Sequence, residues 1–382
     1  MELQERTDAS LVCTSSEEPL NFTFPQRKLS SVHIVEGKFN PSNRLGAEPN
    51  RFRTPIVDIE DTLLMPCTSA RARLLLKTGK ALAKRNKLGM FYLQLNRAVD
   101  ITNQPLVLGV DPGSKCEAFS VVGTKDTVLN IMSEATTWVS RAIEQRRNMR
   151  RARRFRKTRR RERRFNNRLA NRKHVPPSTK ARWDAKLRII SQLEKILPIQ
   201  TVVVENIKAV TRKNGKRWNR SFSPLEVGKQ HFYKQIGSKL VVKSGIETKA
   251  LRESYGLEKL KNKSKPVFET HCVDAWVLAA QPTTRSLYYM VPLRWHRRQL
   301  HRLQPEKGGK RNRYGGTLSL GLKRGTLIKH QKYGLCFVGG FLNGQLSLHS
   351  MKNGERLTKN SKKEDCEVLT RIAFRTRFLA GC

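Results

Sequence analysis

Apolar positions are unevenly spread along the chain, and the clearest runs of them stop at acids. One run, Leu106 to Val110, stops at Asp111 and is followed by Pro112-Gly113-Ser114. A second begins near Ala118 and stops at Gly123. Two short runs around a Pro-Gly turn signal predict a β-hairpin over 105–123. Asp111 then sits at the end of a buried strand, beside the turn. Leu187, Ile190, Leu193 and Ile196-Leu197 recur at helical spacing. After a turn at Pro198, Thr201 to Val204 predicts a strand that ends in Glu205-Asn206. Residues 269–280, ETHCVDAWVLAA, predict a largely apolar helix carrying His271 and Asp274 three apart, hence on one side.

Other stretches read less sharply. Residues 1–55 show no sustained period and predict a mostly disordered leader. Residues 56–99 open on a strand-like run with a turn at Pro66. Ala70, Leu74, Leu75 and Ala81 then lie among Arg71, Arg73, Lys77, Lys80, Lys84 and Arg85, a basic amphipathic helix bent near Gly79. Residues 221–250 are mixed, with no clear period. From about 292 onward, glycine pairs and the turn signals Asn343-Gly344 and Asn353-Gly354 punctuate short β-prone runs, as in a small, basic β-rich domain.

Charge changes the picture. Lys plus Arg number 76 against 31 acids, a formal net charge of +45. Such an excess repels itself in a compact fold unless a polyanion neutralises it, and nucleic acid is the leading candidate. A membrane surface is the rival, but no apolar run is long enough to span one. The seven cysteines are scattered and contain no C-x-x-C pair, which speaks against a disulfide scaffold or a zinc ribbon and for incidental thiols in a reducing cytosol. The charge peaks in RRNMRRARRFRKTRRRERRFNNRLANRK, residues 146–173, where sixteen of 28 residues are Arg or Lys. No Gly or Pro interrupts it, so it predicts a helix, stopped by Pro176-Pro177. Like charges one turn apart destabilise such a helix unless phosphates lie on several sides.

Against that background three acids stand out by position. Asp111 and Glu205 end apolar strands, and Asp274 lies in an apolar helix one turn after His271. A charge in an apolar run is costly unless paired or metal-bound. Singly, each has an ordinary reading: a turn residue, a strand end, a helix acid paired with an arginine. Together they would form a cage of hard oxygen ligands suited to Mg2+ or Mn2+, as phosphodiester hydrolysis requires. His271 would orient the attacking water or act as general base.

The same segments carry a resemblance. LGVDPGSKCEAFSVVG, VVVEN and HCVDAWVLA resemble the three RuvC segments of RNase H-like nucleases. An Arg-rich helix after the first segment is similar to the bridge helix of the transposon-encoded IscB and IsrB proteins, RNA-guided relatives of the large CRISPR nucleases. MPCTSARARLLLKTGKA resembles their PLMP region, although the name-giving motif here reads Leu63-Leu64-Met65-Pro66. The stretch from Lys307 to Gly340 resembles their C-terminal domain. Glu205 and His271 are 66 positions apart (271 − 205), and the interval holds one histidine, His231. It therefore fits the branch without an HNH nuclease, IsrB.

The resemblance implies an α/β fold: an RNase H-like (RuvC) core with an inserted Arg-rich bridge helix, a small N-terminal PLMP-like domain and a small β-rich C-terminal domain. The implied boundaries are a leader at 1–55, the PLMP-like domain at 56–100, RuvC segment I at 101–140, and the bridge helix at 141–175. RuvC segments II and III follow at 176–290, and a domain reading the motif beside the target at 291–382. The implied activity is nicking of the non-target strand of double-stranded DNA, guided by a structured ωRNA, with Asp111, Glu205 and Asp274 as ligands of two Mg2+ (Mn2+ possible) and His271 assisting. Guide phosphates would be held by Arg146, Arg147, Arg150, Arg151, Arg153, Arg154, Arg156, Arg159, Arg160, Arg163, Arg164 and Arg168. Arg311, Arg313, Lys323 and Arg324 are candidates for gripping the DNA duplex. A single protein copy on a large RNA, in a bacterial cytoplasm near the nucleoid, completes the expectation. A guide-independent RuvC-like nuclease and a catalytically silent RNA-binding protein remain open alternatives, and a ribosomal or chromatin-like protein would leave the strand-end acids unexplained.

Overall fold

A seven-stranded mixed sheet organises the molecule. The computed structural model describes residues 53–100, 103–124, 126–155, 175–209, 223–260, 267–279, 286–293, 303–304, 309–310 and 318–379. The expected leader therefore lies outside the described residues, except for its last three positions.

The chain first builds a four-stranded sheet from β1 (Thr54–Val57), β2 (Leu63–Cys67), β3 (Ala81–Arg85) and β4 (Phe91–Leu95), in the order β2-β1-β4-β3. Helix α1 (Ser69–Lys77) begins at Thr68, whose side chain accepts from the Arg71 amide, and ends beside Gly79 at φ +66°. Two expectations are corrected here. Pro66 lies within β2, and the chain turns earlier, at 58–61, where Asp58 accepts from the Glu60 and Thr62 amides. The basic helix does not bend at Gly79 but stops there, because the left-handed backbone at that residue ends a helix. Ala81–Arg85 is a strand with only Ala81 buried, so its basic face mimicked a helical pattern.

The main sheet follows. It contains β5 (Leu106–Asp111), β6 (Cys116–Val122), β7 (Thr127–Glu134), β8 (Ile199–Asn206), β9 (Leu240–Ser244), β10 (Leu287–Pro292) and the last strand of the chain, β20 (Phe374–Leu379). Its order is β20-β10-β7-β6-β5-β8-β9. Strand β6 runs antiparallel to β5 and β7, while β8 and β9 run parallel to β5. That order and direction, 3-2-1-4-5 with the second strand reversed, is the RNase H-like core that the resemblance implied. β10 and β20 widen it beyond β7.

Helices cover both faces, which is why β5 and β8 read as continuous apolar runs rather than alternating ones. On one face, α3 (Pro177–Leu193) and α4 (Pro224–Ile236) pack Trp183, Ile189, Ile190, Leu193 and Phe232 against Leu108, Val110, Phe119, Val121, Val202 and Val204. On the other, α6 (Phe268–Ala279), buried along its whole length, packs against Ala118, Val122 and Met132. Between β9 and α6 lies α5 (Gly245–Ser254), opened by a capping box between Ser244 and Glu247. The mixed stretch 221–250 thus resolves into α4, β9 and the start of α5.

The C-terminal β-rich region is present. Two short ladders, β11 (Leu303–Gln304) with β12 (Gly309–Lys310) and β13 (Leu318–Ser319) with β14 (Leu322–Lys323), precede a five-stranded sheet. That sheet is β15 (Thr326–His330), β16 (Gly334–Leu342), β17 (Gln345–Ser350), β18 (Arg356–Ser361) and β19 (Cys366–Arg371). Asn343-Gly344 makes the tight β16–β17 turn with both residues at positive φ. The last strand, β20, does not join the small sheet but pairs with β10 in the main one. No described helix is long and apolar enough to cross a membrane.

Candidate active site

Strand register brings two of the acids to one face. Val110 pairs with Val204 in the parallel β5–β8 ladder, and both point into the α3–α4 core. Side chains alternate along a strand, so Asp111 and Glu205, each one residue further, project to the α6 face. Helix α6 supplies the third. Gly109 lets it approach: a Cβ there would meet the Ala275 carbonyl oxygen at 1.9 Å. The close crossing carries Asp274 down to the strand ends. One carboxylate oxygen from each of Asp111, Glu205 and Asp274 lies within 4.8 Å of the others.

Two cations, neither singled out by sequence, complete the cluster. Arg252, in the last turn of α5, donates to Asp274 Oδ1 at 2.7 Å. Lys259, between α5 and α6, donates to Asp274 Oδ2 and lies 3.6 Å from Asp111 Oδ2. The ordinary reading of Asp274, an acid paired with an arginine, thus holds alongside its place in the cluster.

Burial and mutual repulsion set the protonation. Burial pushes the Asp111 carboxyl up; Lys259 opposes this, and the Asp274 charge adds to it. Glu205 is pushed up to about 7, by burial first and then by Asp111 and Asp274. A side-chain hydrogen bond with Asp111 raises Glu205 further and lowers Asp111. Burial alone would lower the Lys259 ammonium, but Asp111, Asp274 and Glu205 outweigh it and raise it.

The donor set fits a hard divalent cation: three partly desolvated carboxylates, converging from two strands and a helix. His271 is buried, one turn before Asp274 on α6, and is not a member of the three-oxygen group.

The expected nucleic-acid contacts are partly described. Helix α2 (Trp138–Phe155) includes Arg146, Arg147, Arg150, Arg151, Arg153 and Arg154. Arg146, Arg147, Arg150, Arg151 and Arg154 are exposed. The Nε of Arg146 and of Arg150 donates to the carbonyl four residues back, at 3.0 and 3.3 Å. Arg156, Arg159, Arg160, Arg163, Arg164 and Arg168 lie outside the described residues, as do Arg311 and Arg313. Lys323 is exposed on β14, and Arg324 is half-buried beside it.

Comparison with known proteins adds one match in sequence. Residues 54–219 match the family model described as RRXRR protein. This is less than half of the chain, and it spans the four-stranded sheet, the first RuvC-like segment, the arginine-rich stretch and β8. No curated protein matches. Among solved structures, the chain is similar to Thermus thermophilus RuvC in complex with a Holliday junction substrate, at 15% identity and a TM-score of 0.25. The overlay covers 46% of this chain and 90% of that one. A Thermus thermophilus RuvC structure gives the same identity and coverage, with a TM-score of 0.23. The fold assignment rests on strand order and direction rather than on these loose overlays.

Proposed function

We propose that the protein is a metal-dependent DNA endonuclease, an RNA-guided nickase that cuts the non-target strand with a single RuvC-type site. The convergence of Asp111, Glu205 and Asp274 carries the reading. Three carboxylates this close resist simultaneous ionisation unless cations sit among them. Divalent ions held there would supply the charge that activates a water and stabilises the departing 3′ oxygen of an in-line displacement. Asp111, Glu205 and Asp274 are assigned as ligands, and His271 as the group that orients the water or takes its proton.

Guidance by RNA is supported by the arginines of α2 and by the RRXRR match, a model found in IscB/IsrB-like proteins. In such a division of labour, base pairing reads the target, and the protein reads a short flanking motif and the shape of the heteroduplex. The expected ligands are then the ωRNA on the arginine helix and target duplex near Lys323 and Arg324.

Purification with bound nucleic acid, followed by sequencing of the RNA, tests the reading. A single structured RNA species is expected, and nicking of a matching duplex should need both that RNA and Mg2+ or Mn2+. Nicking that survives removal of all RNA would transfer the assignment to a guide-independent nuclease. RNA binding without nicking in any divalent ion would leave a silent RNA-binding protein.

A further inference from the structure

Among the described residues, Lys259 is unlike the other cations in reaching two of the three clustered carboxylates at once. Its ammonium donates to Asp274 and stands 3.6 Å from Asp111 Oδ2. Arg252 holds the other Asp274 oxygen from a separate element, at 2.7 Å. The two differ in what they leave free. Arg252 reaches only Asp274, so it can fix that side chain while the remaining oxygens of the group stay available. Lys259 stands against one oxygen of Asp111 and one of Asp274, so a cation shared by those two residues would meet its charge.

We propose that Lys259 is a tethered counter-cation of the candidate metal site, a positioning residue that holds Asp111 and Asp274 together while no ion is bound and competes with divalent ions for their oxygens. This deepens the metal-site reading above and rests on it. The local structure suits the role. Lys259 follows the end of α5, where Gly256 adopts φ +61° and the Leu257 amide donates to the Arg252 carbonyl at 3.0 Å. The Leu260 amide is anchored to the Glu269 carbonyl at 3.1 Å. The backbone on both sides of Lys259 is thereby tied to α5 and α6. The four-carbon side chain is left as the part that moves, and a lysine head can turn from buried carboxylates to solvent or to a phosphate without unfolding its stem. Charge counting agrees. Among the described residues, Lys259 and Arg252 supply two positive charges against three carboxylates once all three are ionised, and that surplus of acid, which the Glu205 proton offsets without metal, attracts a divalent ion. Its arrival makes the ammonium an adjacent like charge.

Calorimetric titration of the purified full chain with MnCl2, in the absence of nucleic acid, tests the inference. Parent, Lys259→Met, Lys259→Arg and Asp111→Asn proteins would be compared. The inference expects Lys259→Met to bind Mn2+ about tenfold tighter than the parent or more, since a competing unit charge has been removed. Lys259→Arg, which keeps the charge, should stay near the parent. Without metal, Lys259→Met should show a lower melting midpoint than the parent, and saturating Mn2+ should restore it. Equal affinities in parent and Lys259→Met, with Asp111→Asn binding lost, would overturn the inference and leave the metal site standing. No Mn2+ binding in any of the four would overturn both. If Lys259→Met proves unfolded by circular dichroism, Lys259→Gln takes its place under the same expectations.

Discussion

The two faces of the main sheet each bury acid near the same strand ends, with opposite results. On the α3–α4 face, Glu117 meets Lys186 at 2.5 Å, with both side chains more than nine-tenths buried. Lys186 also lies over the Trp183 ring, 4.9 Å from its centre. One acid faces one base, and aromatic and aliphatic groups close around them. On the α6 face, three carboxylates meet two cations among the described residues, and one of those cations bridges two acids. Burial pushes Glu117 up as it does Asp111 and Glu205. Desolvation therefore does not separate the structural pair from the candidate site. The charge balance does: a matched pair is complete, whereas a surplus of acid calls for a further cation.

The largest effect that would break this contrast is on activity. Asp111→Ala should lower the nicking rate about a thousandfold or more, because charge stabilisation worth several kcal/mol leaves with the ligand. Glu205→Ala should do likewise, with the melting midpoint of each variant near or above that of the parent, since removing one of three crowded acids relieves repulsion. Gel assays on supercoiled plasmid carrying the target, alongside thermal melts, would show this. Parent-like nicking in both variants would remove the α6 face from consideration as a catalytic centre.

That contrast was only half legible in the sequence. The acids were visible because each interrupts or ends an apolar run, and a backbone rule then places Asp111 and Glu205 on one face once the strands are parallel and in register. The hairpin 105–123 and the helix at 269–280 were legible for the same reason: strong patterns buried on both sides. Lys259 and Arg252 were not. They come from α5 and the turn after it, half-exposed segments with no clean period, in a chain where 76 basic residues make any single one inconspicuous. Glu117 and Lys186 are 69 positions apart, and nothing local marks them as partners. The strand Ala81–Arg85 carries a helix-like pattern in sequence, because one buried alanine followed by exposed residues fits a helix as well as an edge strand. The return of β20 to the main sheet was invisible because strand pairing across such a separation leaves no local trace.

Stability should divide the faces in the other direction. Lys186→Met leaves Glu117 buried without its partner, and a loss of about 3–5 kcal/mol is expected. The double variant Lys186→Met with Glu117→Gln should recover most of that, because the buried charge is gone while shape is kept. Denaturant midpoints measure both. A single variant as stable as the parent would mean that the pair does not hold the α3 face to the sheet.

Gly109 seats α6 on its own face of the sheet, and its effect should be smaller. A methyl at this position would overlap the Ala275 carbonyl, so Gly109→Ala must push α6 away from β5. Overpacking of this kind costs about 1–3 kcal/mol. Asp274 moves with its helix while Asp111 and Glu205 stay, so Mn2+ affinity should fall although every ligand is still present. Intact affinity with the expected loss of stability would show that the acids tolerate looser placement than the close crossing implies.

The smallest effect concerns proton linkage. Glu205 has a folded pKa of about 7 against an ordinary value of 4.5. Between those two values the folded protein binds more protons at this residue than the unfolded chain does, so stability falls as pH rises through that window. Below about pH 4.5 the residue is protonated in both states, and the difference vanishes. In EDTA, melts of the parent between pH 5 and 8 should therefore decline more steeply than those of Glu205→Gln, which cannot ionise. Glu117 contributes a slope of the same sign to both proteins, and because Asp111 and Glu205 act on each other, the difference between the two curves reports the Asp111–Glu205 pair. Saturating Mn2+ should shrink that difference, since a bound cation favours the ionised acid and lowers its pKa. Parallel curves in EDTA would mean that Glu205 ionises as it would in the unfolded chain, and that the three acids do not crowd one another as their separation requires.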